Sequence, residues 1–185
     1  MHIHLETPRL VIRQFTPDDA PQLWELDNDP AVLEFIGSRL GVTVDTYRER
    51  IATVYAAHYA RHRALGVWAV IERDSGNFLG WVCLRPAMDY RFARECGFQE
   101  NEAELGYRLR KEAWGKGYAT EASRALIARG WEQESIAAVV AAAHIDNRRS
   151  RRVMEKCGLT LVKEFPIPGY EFLEVAYRLP RESAR

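Results

Sequence analysis

The chain has 185 residues, 47% of them hydrophobic and 28% charged, with 26 Lys plus Arg against 26 Asp plus Glu. That length and balance fit one mixed domain, 1–185 with its core from about 5 to 179, and exclude a disordered or fibrous chain. Zero net charge excludes a molecule-wide field for nucleic acid, and no apolar run approaches the roughly 20 residues that span a bilayer.

Cys83, Cys96 and Cys157 are odd in number, widely spaced and without a C-x-x-C pair, which predicts reduced thiols in a cytoplasmic protein. His58 and His62 have the i, i+4 spacing of a metal pair, but no third ligand lies near them in sequence, so no metal is expected.

Leu10 to Phe15 reads as the first strand, followed by the helix start Thr16-Pro17-Asp18-Asp19 and a second start at Asp29-Pro30. From Thr43 to about Leu65, Val44, Tyr47, Ile51, Val54, Tyr55 and Tyr59 recur at near-helical spacing, with Gly66 as the expected stop. Val67–Ile71 and Phe78–Leu84 form a predicted hairpin around Asp74-Ser75-Gly76-Asn77. The insert 86–101, carrying Tyr90, Phe92 and Phe98, reads either as a functional loop or as a surface flap. Ala103–Leu109 is a fourth predicted strand, followed by a helix over 118–131, a strand over 136–143, a helix over 147–157 closed by Gly158, and two last strands. Seven strands interleaved with helices make an α/β (α+β) domain.

Trp114-Gly115-Lys116-Gly117-Tyr118-Ala119 joins a strand to a helix. Closely spaced glycines there let an anion approach backbone N–H groups and the positive end of the helix dipole. The spacing matches neither a P-loop nor a dinucleotide fingerprint, and on its own it reads equally as a glycine-rich connection.

The segments Glu6-Thr7-Pro8-Arg9-Leu10-Val11-Ile12-Arg13, Glu104-Leu105-Gly106-Tyr107, Trp114 to Ala122, and Asn147 with Ser150 before Val153-Met154-Glu155-Lys156-Cys157-Gly158 occur in order along the chain. Together they resemble the GNAT acyltransferase superfamily, and within it the RimJ/RimL-type branch, from about Leu5 to Leu179. The resemblance implies a mixed, mostly antiparallel sheet flanked by helices and splayed between the fourth and fifth strands. It implies acetyl-CoA as co-substrate, its pyrophosphate on the N–H groups of Gly115, Lys116, Gly117, Tyr118, Ala119 and Thr120, and its pantetheine arm along Leu105, Gly106 and Tyr107. The implied reaction is N-acetylation of a primary amine, on a protein N-terminus or a small molecule, by direct attack in a ternary complex. A CoA-binding sensor or interaction module on the same fold is the alternative.

An attacking amine must lose a proton, because an ordinary lysine titrates at roughly 10 and an α-amine near 8. Glu104, with Glu102 on the same strand face, is the candidate base, beside the alternative of a water relay. By the resemblance, Asn147 meets the pantetheine amide and Ser150 protonates the leaving thiolate; both types also cap helices. Within the run Arg148, Arg149, Arg151 and Arg152, Arg152 is the candidate for the ribose phosphate, against a solvated helix face. His144 reads as a structural histidine and Cys157 as a packing residue. Phe35, Tyr90, Phe92 and Tyr170 are candidate walls of the acceptor pocket. The expected assembly is a monomer or homodimer without nucleic acid or membrane.

Overall fold

The computed structural model describes residues 2–36, 41–167, 169 and 171–181. Its elements in chain order are β1 (Ile3–Glu6), β2 (Leu10–Gln14), α1 (Ala20–Leu26), α2 (Pro30–Leu33), α3 (Val44–Arg50), α4 (Ala56–Arg61), β3 (Gly66–Glu72), β4 (Phe78–Pro86), α5 (Ala93–Cys96), β5 (Glu102–Leu109), α6 (Tyr118–Gln133), β6 (Ala138–His144), α7 (Arg148–Lys156), β7 (Thr160–Pro166) and β8 (Leu173–Pro180). The strands form one sheet in the order β1-β2-β3-β4-β5-β6-β8-β7. Every pairing is antiparallel except β5 with β6.

Eight strands replace the expected seven because Ile3–Glu6 pairs with β2. Its buried member is His4, stacked on Trp68 at 3.8 Å between ring centroids, while Ile3 is exposed, so the apolar residues of this segment do not mark its buried face. Gly66 does not end the preceding helix. That helix, α3 and α4 joined by a π turn over Ile51–Tyr55, stops at Arg61, and Gly66 opens β3 where a Cβ would lie 3.0 Å from the Tyr59 ring.

Strand alternation sends the two faces of the sheet into different cores. On one, Leu84, Leu105 and Leu109 share a buried cluster with Ala122, Leu126 and Ile127 of α6 and Met154 of α7. On the other, Val67, Ala69 and Cys83 pack with Leu23 and Leu26 of α1 and with Tyr47, Ile51 and Tyr55. Each fully buried side chain of this size contributes roughly 1.5–3 kcal/mol.

The insert 86–101 is part of this packing. It folds as a short 3-10 turn, Ala87–Asp89, and α5, and it buries Ala93, Cys96 and Phe98 against Val140, Phe165 and Ala176. His58 Nε2 of α4 lies 3.3 Å from the Asp89 carboxylate and ties the insert to the helical layer. The surface-flap reading therefore gives way to a folded loop.

Candidate active site

β5 and β6 pair only at Glu102 with Ala138, Ala103 with Val139 and Glu104 with Val140. Beyond Glu104 each strand keeps its outer neighbour while the two inner edges separate, which is the expected splay. Two bonds fix which groups face it. Arg110 N–H donates to Leu79 O on the β4 side, while Asn101 O accepts from Ala137 N–H on the β6 side. Backbone direction alternates along a strand, so Leu105 and Tyr107 turn their N–H and C=O groups into the splay and Gly106 turns its own toward β4.

Gly106 thus enters by what it lacks. A Cβ there would sit 2.9 Å from Cys83 Sγ and 3.3 Å from Glu104 Oε1. Its backbone is not part of the edge expected to carry pantetheine.

At the open end of the splay lies the glycine turn. Gly115 and Gly117 have φ of 75° and 84°, the left-handed region that penalises any Cβ, and no side chain caps α6. The first N–H groups of a 16-residue helix therefore face outward with the positive end of its dipole. The turn is latched from below. Glu121 accepts from Thr7 Oγ1 at 2.6 Å and from Arg9 N and Nε at 3.1 and 2.7 Å, while Arg9 Nη1 donates to Lys116 O at 2.9 Å. Partial burial pushes the Glu121 carboxyl up, but the bonds from Thr7 and Arg9 outweigh it and hold it below its ordinary value.

Across the splay, Asn147 Oδ1 accepts from Ser150 N at 3.1 Å and caps α7. No described group bonds to its amide nitrogen, which leaves a donor at the cavity wall. Tyr107 donates its phenolic hydrogen to Ser150 O at 2.7 Å, and its oxygen lies 3.0 Å from Ser150 Oγ. Because that phenolic hydrogen is used, Ser150 Oγ–H is the donor of the second bond. Burial pushes the Tyr107 phenol up, so it stays protonated.

Arg152 is exposed and makes no described contact, whereas Arg149 places its guanidinium 5.1 Å from the centre of the Trp114 ring. Of the four arginines of α7, the one beside the glycine turn is Arg149 of the first turn, and Arg152 lies nearly one turn further along. Cys157 packs under α6 with Sγ 3.9 Å from Thr120 O, and burial raises its thiol to about 11.

The even-numbered face of β5 is charged and closed. Glu102 meets Arg178 at 3.1 Å, Glu104 meets Arg85 Nε at 2.7 Å, and Arg108 meets Asp27, which also accepts from Tyr47. Glu104 is 4% exposed and its carboxylate also accepts from Cys83 Sγ at 3.7 Å, so its charge is already compensated. A cavity of about 470 Å³ runs over this face and through the splay, lined by Glu104, Gly106, Arg108, Ala142, His144 and Glu174. Phe35, Tyr90 and Phe92 stand in its wall as expected; Tyr170 and Pro168 lie outside the described residues. Asn147 and Ser150 line it from the α7 side.

The acetyltransferase (GNAT) domain model matches residues 9–160. The chain belongs to the GNAT acetyltransferase family. It is an acyltransferase, with acetyl-CoA as its co-substrate. It is 30% identical over 190 residues to FsC-acetyl coenzyme A-N(2)-transacetylase of Aspergillus fumigatus, spanning 96% of this chain and 76% of that protein. An acetyltransferase of the GNAT family from Bacillus anthracis superposes with a TM-score of 0.77 at 25% identity, over 99% of this chain and 100% of the other. RimL, a ribosomal L7/L12 alpha-N-protein acetyltransferase solved with coenzyme A, shares the fold with a TM-score of 0.75 at 16% identity, over 97% and 98% of the two chains.

The GNAT fold accounts for what the sequence hid. Thr7, Arg9 and Glu121 all stand in the segments that carry the resemblance, yet nothing in their spacing shows that they touch. Tyr107 is expected on the pantetheine edge, and nothing in the sequence shows that its hydroxyl meets Ser150 of α7.

Proposed function

We propose that this protein acetylates a primary amine by direct attack on acetyl-CoA in a ternary complex. The observation that carries the reading is the splay itself. Its two exposed strand edges lead from an uncapped helix terminus, suited to a pyrophosphate, to a cavity lined with carboxylates on the opposite face of the sheet.

The pyrophosphate would take the N–H groups of Gly115, Lys116, Gly117, Tyr118, Ala119 and Thr120, with Arg149 beside them. The pantetheine would follow Leu105 and Tyr107, and Asn147 would donate to one of its amides. One N–H group of the edge Leu105 to Tyr107, held in place before reaction, is the donor for the thioester oxygen as it gains charge; losing one such donor costs roughly 3 kcal/mol elsewhere. The amine nitrogen, once deprotonated, attacks the carbonyl carbon, the C–S bond breaks, and Ser150 Oγ gives its proton to the sulfur and regains the one that the nitrogen sheds as the amide forms, while Tyr107 holds Ser150 in place. Glu104 was the expected base, but its bond to Arg85 gives it the better fit to holding that cation and the floor of the cavity.

A cavity of about 470 Å³ suits a small amine or the first residues of an extended peptide. The name of the Aspergillus relative refers to a nitrogen, N(2), and that of RimL to a protein's alpha nitrogen. The test is thiol release from acetyl-CoA across peptides with free N-termini, amino-acid amides and aliphatic diamines. Ser150→Ala and Tyr107→Phe are expected to lower kcat by about tenfold or more on the best amine. CoA binding without product on any amine would instead assign a sensor.

A further inference from the structure

Among the described residues, the buried carboxylates are Asp19, Asp27, Glu102, Glu104 and Glu174. Four of them have a guanidinium within ion-pair distance: Arg13 at 2.7 Å from Asp19, Arg108 on Asp27, Arg178 at 3.1 Å from Glu102 and Arg85 at 2.7 Å from Glu104. Glu174 has none. It is 8% exposed, it lines the cavity, and its described hydrogen bond is from the Tyr90 hydroxyl at 3.0 Å. An ionised carboxylate buried without a cation costs several kcal/mol, so Glu174 gains from any cation that enters the cavity.

We propose that Glu174 seats the acceptor's ammonium and takes its proton, while Tyr90 of the insert holds the carboxylate in place. The inference rests on the amine-acetylating reading above. Position supports it. Glu174 on β8 pairs with His144 on β6 and shares a sheet face with Ala142, Ala176 and Glu104. Ala142 on β6 and Gly106 on β5 stand on either side of the splay, and neither has a side chain long enough to close the path from Glu174 to the pantetheine edge. One ammonium proton leaves nitrogen for the Glu174 oxygen, the freed lone pair forms the C–N bond, the C–S bond breaks, and the second proton that the nitrogen sheds balances the one taken up by the sulfur, giving the amide and the CoA thiol.

The neighbours leave few rivals. Tyr90 and Cys96 of the insert are kept protonated by burial and then by the Glu174 charge. Arg85 on β4 and Glu104 on β5 are paired with each other, and Lys163 on β7 donates to Glu95 O at 2.8 Å. His144 on β6 accepts at Nδ1 from Asp146 N–H at 3.1 Å, which assigns the neutral ring's proton to Nε2 and leaves it a donor toward the cavity. Its ring lies between those of Phe35 and Phe172, at 5.2 and 4.7 Å, and builds an aromatic wall for the carbon chain of the amine. Burial raises the Glu174 carboxyl, against the lowering effects of the Tyr90 bond and of His144.

The experiment is the pH profile of kcat/KM with the best amine of the panel, together with CoA affinity by calorimetry. Glu174→Gln is expected to lose about 100-fold or more in kcat/KM and to lose the acid limb of the profile, with CoA affinity unchanged. Tyr90→Phe removes a bond that favours the ionised carboxylate, so its acid limb moves to higher pH; a purely structural role for Tyr90 would leave the limb in place. Glu104→Gln retains the limb. A Glu174→Gln enzyme with wild-type kcat/KM, or a limb lost in Glu104→Gln and kept in Glu174→Gln, overturns the proposal and leaves the reaction intact. Wild-type protein that binds CoA yet acetylates no amine of the panel overturns the underlying reading, and this proposal with it.

Discussion

On one face of β5, Leu105 and Leu109 sit in a core shared with α6, and the donor features that follow are backbone edges, positive-φ glycines and a helix terminus. On the other face, Glu102, Glu104 and Arg108 are each held by a side chain from elsewhere in the chain: Arg178 on β8, Arg85 on β4 and Asp27 after α1. The first face needs only local conformation, which glycine spacing and helix caps encode within a few residues. The second needs side chains brought together over long sequence separations. A donor common to a family can be recognised by the first kind of construction, while the acceptor depends on the second.

The even face should break more easily in stability, and the odd face in cofactor affinity. The largest effect is expected at Asp27. Its partner Arg108 has a side chain 7% exposed, and the Arg108 Nε is already without a hydrogen bond. Asp27→Ala would strand a buried guanidinium and cost about 3–5 kcal/mol, read as a lower urea midpoint at unchanged slope. Wild-type stability in this variant would mean that the charges of the even face are not a connected framework.

A smaller effect on the donor side distinguishes two arginines that look alike in sequence. Arg149→Ala is expected to weaken CoA binding several-fold and to flatten its salt dependence, because a cation beside the glycine turn is lost. Arg152→Ala should change CoA affinity by less than about twofold, as expected for an exposed helix-face charge. Calorimetry at two salt concentrations separates them, and equal losses would return Arg152 to the ribose-phosphate role.

What could be read from the sequence follows the same division. The order of strands and helices, the turn at 114–119, the splay after Glu104 and the cap at Asn147 were all legible, because each depends on residues adjacent in sequence or on a motif that preserves their spacing. β1 was missed because its buried residue is a histidine, and the insert could not be resolved into flap or fold because its partners Val140, Phe165 and Ala176 come later in the chain. Glu104 was legible as an acid at the head of a strand, but Arg85 reaches it only through the register that sets β4 against β5. Glu174 carried no signal, since it follows a turn and precedes Val175, Ala176 and Tyr177 like any polar strand residue.

The smallest effect tests whether the donor turn is as local as it looks, because one of its supports is not. Glu121 is held by Thr7 and Arg9, more than a hundred residues away in sequence. Its carboxyl titrates below the ordinary glutamate value, near 4.3 in the unfolded chain, so its contribution is full above that value and is lost as pH falls through the lower, folded one. Thr7→Val removes the 2.6 Å bond to Glu121 together with the 3.0 Å acceptor of Leu10 N–H, a loss of about 1–2 kcal/mol, and lets the folded value rise toward the unfolded one. The variant should therefore match wild type in CoA affinity near neutral pH to within a few-fold, and lose thermal stability at a higher pH than wild type does when both are titrated into acid. If acid stability is unchanged, the latch is not coupled to the turn, and the donor face rests on local conformation alone.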